Sequence, residues 1–313
     1  MIDVDKQIRD SLRGLAEGFR LRVVSSATSP FSHAPYPLVR TLDHVGDPGL
    51  LGPDSVSWLV LGDVATFVGG IRGLLIQAAH PEVVAGVVDH SRYRHDPLGR
   101  LSRTSAYVTA TTYGAMPEVE HAVSQVRRVH NGVTGVSSRG VAYDAGDPVF
   151  SAWVHNALTE SFLIAHRSFG GLALTEAEED QFVVEQTHVG ALLGSDPMPD
   201  TAAGLSRWIG SHPQAASSSE MREALDFLLD PPLEPGLRIG YKLLLEAAVA
   251  TIPKRFLDIL ELTRTPGAAG VGRAGVAGLR WALGSSPSWQ LALIRCEAKI
   301  PVGTFKQPLP VQT

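Results

Sequence analysis

Helical periodicity along nearly the whole chain is the feature that most restricts its fold. Apolar residues recur at three- and four-residue spacings in most long segments, and series of short alternating runs separated by hairpin turns are absent. We therefore predict an all-α fold with a single large multi-helix domain. We assign residues 54–300 to this domain, 1–53 to an irregular N-terminal arm with a short helix, and 301–313 to a C-terminal tail.

Capping residues predict where several helices begin and end. A Ser, Thr or Asp side chain accepts a hydrogen bond from a free N–H at the helix start, while proline suits the first turn and glycine the position after the last. The ends predicted in this way lie at Pro117, at Asp147 with Pro148, at Gly170, at Thr175 with Glu178, and at Ser217 with Glu220. Glycine and alanine dominate residues 266–278, which we expect to form a flexible connection.

Charge and cysteine content argue against several function classes. The formal net charge is −5 with both signs spread along the chain, so we expect no nucleic-acid partner. The single cysteine, Cys296, excludes an intramolecular disulfide and fits a reducing, cytoplasmic setting. We see no export signal in the charged N-terminus. The apolar stretch 58–88 is interrupted by polar residues, so it predicts buried helices and no stable membrane span.

A histidine on the apolar face of a predicted helix is the first candidate functional residue. This histidine is His130, and Arg127 precedes it by one helical turn. The residues that share its face are Val119, Ala122, Val123, Val126 and Val133. A buried imidazole needs a partner for at least one ring nitrogen, which is either a protein hydrogen-bonding group or a metal or haem iron.

Arginines lie close to this histidine in the sequence. Arg100, Arg103 and Thr104 fall within about one helical turn, and Arg127 and Arg128 directly precede His130. Guanidinium groups bind carboxylates through two parallel hydrogen bonds, and haem b carries two propionates and takes an axial imidazole. Haem binding and ordinary surface ion pairing both remain open on this pattern.

Two Glu-x-x-His pairs support a rival metal site. Glu118 with His121 and Glu185 with His188 have the spacing found in carboxylate-bridged di-iron sites of helical bundles. Such a site also needs one carboxylate from each of two further helices. Glu160 is a candidate for one of these, and no obvious residue supplies the other.

An ordered series of segments between residues 70 and 194 resembles a known family. The segments are GIRGLLIQAAHPEVVAGVVDHS, DPLGRLSRT, VRRVHNGVTG, YDAGDPVFSAWVHNAL and LLGSDPMP. Together they resemble the latex clearing protein (rubber oxygenase) and MpaB-type oxygenase family of all-helical haem b proteins. The resemblance implies one all-α domain around a buried haem pocket.

The resemblance also implies roles for individual residues. His130 matches the proximal axial ligand, and Arg127 matches the family's arginine one turn earlier. Arg100 and Thr104 match residues that line the distal side of the haem. Arg103 stands where rubber oxygenases have a lysine that can occupy the sixth iron position. Because arginine stays protonated and is not a normal iron ligand, we expect a water-bound or open distal site.

Taken together, these implications describe a haem b-dependent oxidoreductase or oxygenase that uses dioxygen or peroxide on a small apolar substrate, for example a terpenoid or secondary metabolite. Arg127 and Arg128 are then expected to bind the haem, while Arg100, Arg103 and Thr104 act on the distal side. His80 and His155 are expected to contact the residues that hold the haem and not the iron itself. The alternatives are a non-catalytic haem carrier or sensor and the di-iron oxidase.

Overall fold

The computed structural model of the chain describes residues 17–18, 20–25, 27–91 and 94–311. Two 3₁₀ helices, Ser29–Phe31 and Thr41–His44, precede the helical domain. Its elements are α1 (Val56–Gly62), α2 (Thr66–Ala78), α3 (Pro81–His90), α4 (Pro97–Tyr113), α5 (Met116–His130), β1 (Thr134–Val136), β2 (Ala142–Asp144), α6 (Pro148–Phe169), α7 (Glu176–Ala191), α8 (Ala202–Ser211), α9 (Ser219–Leu229), α10 (Pro235–Ala250), α11 (Lys254–Ile259), α12 (Ala268–Leu283) and α13 (Pro287–Arg295). The predicted all-α, single-domain fold is confirmed.

Side-chain caps fix several helix starts where the sequence predicts them. Asp147 caps α6 by accepting a hydrogen bond from the backbone N–H of the helix's second residue at 2.8 Å. Thr175 and Glu178 form the predicted capping box of α7. The predicted start of α9 is wrong by one residue, because Ser218 caps this helix while the Ser217 hydroxyl donates to a carbonyl at the end of α11. Choosing between two adjacent serines requires knowing what packs beside them.

The core is built around α2 and α6, which lie against each other. Close approach depends on Gly69, because a Cβ atom there would lie 2.7 Å from the ring of Phe162. Within this interface Arg72 of α2 pairs with Glu160 of α6, and both side chains are almost completely buried. The two opposite charges compensate each other away from water. Arg72, which interrupts the apolar stretch 58–88, is thus matched by Glu160 on the partner helix.

The prediction of a flexible connection over residues 266–278 is wrong, because most of this segment belongs to α12. A Cβ atom at Gly272 would lie 2.6 Å from the Cβ atom of Ala247, so α12 packs very closely on α10. Glycine lowers the intrinsic stability of a helix, but tertiary packing of this kind can compensate for it. The small residues therefore mark a tight helix interface.

A small β-hairpin that the sequence analysis did not predict follows α5. β1 and β2 pair in antiparallel register, with Gly135 opposite Tyr143. The hairpin packs on α3, and the Tyr143 hydroxyl donates to the carboxylate of Asp89. Strands of three residues are too short to show the alternation by which a strand is recognised in a sequence.

The predicted terminal segments are described only in part. Residues 1–16, 19 and 26 of the predicted arm lie outside the described residues, and residues 20–25 are helical. Arg20 donates to the Ala282 and Lys306 carbonyls, so the start of the described chain meets the end of α12 and the C-terminal segment. Residues 312–313 of the predicted tail are not described. The boundaries at residues 53 and 300 stay predictions.

Within the part of the chain that the structure describes, no single helix is long and apolar enough to cross a membrane. The bent pair α1 and α2, with 92° between the two helices, passes the same test of length and composition. Trp58, Val68 and Leu75 of this pair are completely buried in the core.

Candidate functional site

Most of the predicted site residues lie on the helical hairpin formed by α4 and α5. Asp96 caps α4 by accepting a hydrogen bond from Gly99 N–H at 3.0 Å. Gly114 and Ala115 connect the two helices, and Glu118 Oε2 accepts a hydrogen bond from Ala115 N–H at 3.0 Å. Because the chain turns over two residues and the helices contact each other, α4 and α5 form a helical hairpin.

His130 is the last residue of α5 and lies on its inward face, as predicted. Burial falls along this face toward the histidine: Val119 and Val123 are buried, whereas Val126 and His130 are half-buried. Among the described residues, neither ring nitrogen of His130 has a hydrogen-bond partner. Burial lowers the pKa of the imidazole, so the ring is neutral at pH 7. A neutral imidazole has a lone pair available for a metal ion.

Arg127 and Arg128 lie within one turn before this histidine and are both exposed. Arg127 Nη2 donates to the Leu192 carbonyl at 2.6 Å, which ties α5 to the segment after α7. Arg128 Nη1 donates to Gln125 Oε1 at 3.3 Å. Within the described residues neither guanidinium has a carboxylate partner, so both charges are available to an acidic group.

Tyr107 is a residue of this site that the sequence analysis missed. It lies on α4, one turn after Arg103 and Thr104, and its hydroxyl is buried with no hydrogen-bond partner in the part of the chain that the structure describes. Burial raises the pKa of Tyr107, and the positive charge of Arg127 acts in the opposite direction. Its position one turn beyond the two predicted distal residues was the available signal, but the direction of its hydroxyl is visible only in the structure.

The three residues predicted for the distal side all lie in the first half of α4. Arg100 Nη1 donates to Ser91 Oγ at 2.9 Å. Arg103 pairs with Asp96 at 3.0 Å, and its side chain is 56% exposed. Thr104 is exposed. Two of the three thus have protein contacts near the start of α4, and their role on the distal side stays a prediction.

His80 and His155 are core histidines. His155 Nε2 donates to the Gln186 carbonyl at 2.7 Å, and burial lowers its pKa to about 4. His80 is completely buried between Phe150, Trp153 and His212, and neither of its ring nitrogens has a hydrogen-bond partner within the described chain. Burial, with the neighbouring His212, lowers the pKa of His80 to about 4. Both rings are therefore neutral at pH 7.

The residues of the rival di-iron site are not brought together. Glu185 accepts hydrogen bonds from Val56 N–H at 3.1 Å and from the following N–H at 2.8 Å, so it caps the start of α1. Glu118 caps α5, and Glu160 pairs with Arg72. His121 and His188 are exposed. No group of three or more metal-ligating side chains occurs among the described residues, so this alternative has no assembled site.

The surroundings of His130 fit a haem group. The porphyrin supplies four nitrogen ligands, so the iron needs only one or two axial side chains from the protein. His130 offers a neutral imidazole with no hydrogen-bond partner among the described residues, and Arg127 and Arg128 offer positive charges for two carboxylates. On α4, the buried Tyr107 hydroxyl is a further hydrogen-bond donor that has no acceptor among the described residues.

Comparison with known families places the chain in an oxygenase class. Residues 58–281 match the family described as "ER-bound oxygenase mpaB/B'/Rubber oxygenase, catalytic domain". The chain therefore belongs to this oxygenase family, and the resemblance seen in the sequence is confirmed. Searches of curated proteins and of solved structures each found no match.

Proposed function

We propose that this chain is a haem b-dependent oxygenase that acts on a small apolar substrate, with His130 as the proximal axial ligand. One observation carries the proposal: a neutral, half-buried imidazole without a hydrogen-bond partner among the described residues, one turn after an arginine, in a member of an oxygenase family. His155 of the same protein, in contrast, donates to a carbonyl. His80 also lacks a partner among the described residues, but it is completely buried among aromatic rings and has no arginine one turn before it. Among the described residues His130 has no carbonyl contact of the kind that His155 makes.

The basic residues beside His130 have the position and charge to bind the acidic edge of the haem. Arg127 is already oriented by its hydrogen bond to the Leu192 carbonyl, so less side-chain freedom is lost when it binds a carboxylate. Arg128 adds a second exposed positive charge. Together they match the two negative charges of the propionates.

The residues on α4 are assigned to the distal side. When bound, the haem iron supplies the site at which dioxygen or peroxide is activated. Arg103 stays protonated at any working pH, so it acts as a hydrogen-bond donor and not as an iron ligand. Thr104 offers a hydroxyl donor, and Arg100 lies one turn earlier beside Ser91.

Consumption of the oxidant tests the proposed activity. Haem-loaded protein is mixed with a panel of small apolar alkenes under dioxygen or with added peroxide, and oxidant loss and oxygenated products are measured together. The proposal predicts substrate-dependent consumption and a product that contains oxygen. Haem binding without substrate-dependent consumption under either oxidant would instead identify a haem carrier or sensor.

A further inference from the structure

The orientation of Tyr107 is the reverse of what a partly exposed tyrosine normally adopts. Its side chain is half-buried, yet its hydroxyl oxygen is the part that is covered from solvent. A tyrosine near a surface usually buries its ring and turns the hydroxyl toward water. In Tyr107 the polar end faces inward. A buried O–H without an acceptor is unfavourable in the protein alone, so the position needs an explanation.

The other described tyrosines show that the fold normally satisfies its hydroxyl groups. Each of them has a hydrogen-bond partner: Tyr36 with Ser288, Tyr113 with the Trp58 carbonyl, Tyr143 with Asp89, and Tyr241 with the Leu228 carbonyl. Tyr107 differs from all four, although it is buried to a similar degree as Tyr36 and Tyr241. Among the described tyrosines, the missing acceptor is therefore specific to Tyr107 on α4.

The charge near this hydroxyl indicates what kind of acceptor fits. Burial raises the pKa of Tyr107, so the group stays protonated and acts as a donor. The helices α4 and α5 contact each other, and the positive charge of Arg127 on α5 acts to lower the same pKa, so the guanidinium and the hydroxyl belong to the same neighbourhood. An O–H donor beside a positive charge is complementary to an anionic oxygen, and Arg127 has no carboxylate partner within the described residues.

We propose that the Tyr107 hydroxyl and the Arg127 guanidinium together bind one carboxylate, and that this carboxylate belongs to the haem. The inference rests on the proposed function, because it takes the haem of that site as the ligand. It adds a residue on α4 to the arginines assigned on α5, so that both helices of the hairpin hold the same acidic group. A carboxylate carried by the substrate has the same chemistry and is separated from the haem by the experiment.

The experiment compares haem with its dimethyl ester, in which both carboxylates are blocked. Protein prepared without haem is titrated with each compound, and binding is followed by the Soret absorbance. The variants are wild type, Tyr107→Phe and Tyr241→Phe. Tyr241→Phe is the matched control, because it also removes the hydroxyl of a half-buried tyrosine. The Tyr241 hydroxyl lies on α10 and donates to the Leu228 carbonyl on α9.

We expect Tyr107→Phe to weaken haem binding by about 10- to 100-fold, which corresponds to a hydrogen bond to a charged group. The same substitution should leave the affinity for the dimethyl ester unchanged, so the preference of wild type for haem over the ester shrinks. Tyr241→Phe should retain the wild-type preference. Arg127→Gln should also reduce the preference for haem over the ester. In the double variant Tyr107→Phe/Arg127→Gln, the loss of this preference should be smaller than the sum of the losses in the two single variants.

Different results would overturn the Tyr107 inference and the proposed function. If wild type binds haem and Tyr107→Phe keeps the full preference for haem over the ester, the Tyr107 inference is wrong and the proposed function stands. A carboxylate supplied by the substrate gives this same unchanged preference. If wild type binds neither compound, both proposals are wrong.

The thermal stability of the protein without haem gives an independent readout. Because the Tyr107 hydroxyl has no acceptor among the described residues, Tyr107→Phe should melt at the same temperature as wild type or higher. Tyr241→Phe breaks a hydrogen bond and should melt lower. A clear fall in melting temperature for Tyr107→Phe alone would show that the hydroxyl has a structural partner, which overturns the inference.

Discussion

Protonation of His80 should make this protein sensitive to mild acid. His80 is completely buried, with Phe150 and Trp153 beside it, and its pKa is lowered to about 4 from an ordinary value of 6.5. The charged groups that face it are His212, Glu82 and Arg139, and only Glu82 favours the protonated ring. Its folded-state pKa lies below its unfolded pKa, so the unfolded chain binds more protons between pH 6.5 and pH 4.

The sign and size of the effect follow from these two values. The stability contributed by neutral His80 is fully present above pH 6.5 and is lost as the pH falls toward 4. The full difference corresponds to about 3 kcal/mol, since each pKa unit is worth about 1.4 kcal/mol. Between pH 8 and pH 5 the loss from this one residue is about 2 kcal/mol.

Urea unfolding at a series of pH values checks this prediction. Wild type, His80→Phe and His188→Gln are unfolded at pH 8, 7, 6 and 5. His80→Phe keeps an aromatic ring in the pocket but removes the titrating group, so its stability should fall by about 2 kcal/mol less than that of wild type over this range. His188→Gln changes an exposed histidine and should follow wild type. Parallel curves for wild type and His80→Phe would refute the reasoning.

Three further substitutions test separate parts of the structure. Glu185→Ala leaves two N–H groups at the start of α1 without their acceptor and should lower the free energy of unfolding by about 2 kcal/mol in urea, with haem binding retained. Gly272→Val forces side-chain atoms into Ala247 and should lower the free energy of unfolding by about 1–3 kcal/mol. Its control, Gly278→Ala at an open position of the same helix, should not lower the free energy of unfolding. Arg103→Lys tests the proposed distal position of residue 103, because a lysine facing the iron can bind it and should give a six-coordinate absorption spectrum in the haem-loaded protein. An unchanged spectrum would indicate that residue 103 does not face the iron.

The sequence predicted those parts of the fold that depend on local signals. The cap at Asp147 and the capping box at Thr175 are determined by residues within one turn, so they are readable without tertiary structure. The glycine-rich α12 was missed because its stability comes from contact with α10, as the approach of Gly272 to Ala247 shows. A local pattern does not contain the partner that makes such a helix stable.

The candidate site was also predictable only where local signals determine it. Helical phase was enough to place His130 on an inward face, and its burial in the structure agrees. The sequence did not reveal that Glu185 is used as a helix cap, because the N–H groups that donate to it lie more than a hundred residues away in the chain. The importance of Tyr107 was also not visible, because it depends on the burial of its hydroxyl oxygen, which only the structure shows.

The central claim is that His130 binds the iron of a haem. Its most direct test is the absorption spectrum of haem-supplemented wild type, His130→Ala, His121→Ala and His188→Ala, each oxidised, reduced with dithionite and exposed to carbon monoxide. The account predicts a strong Soret band that shifts with carbon monoxide in wild type and in the two exposed-histidine controls, and loss or displacement of this band in His130→Ala. A normal band in His130→Ala, or no band in wild type despite haem supply, would contradict the account.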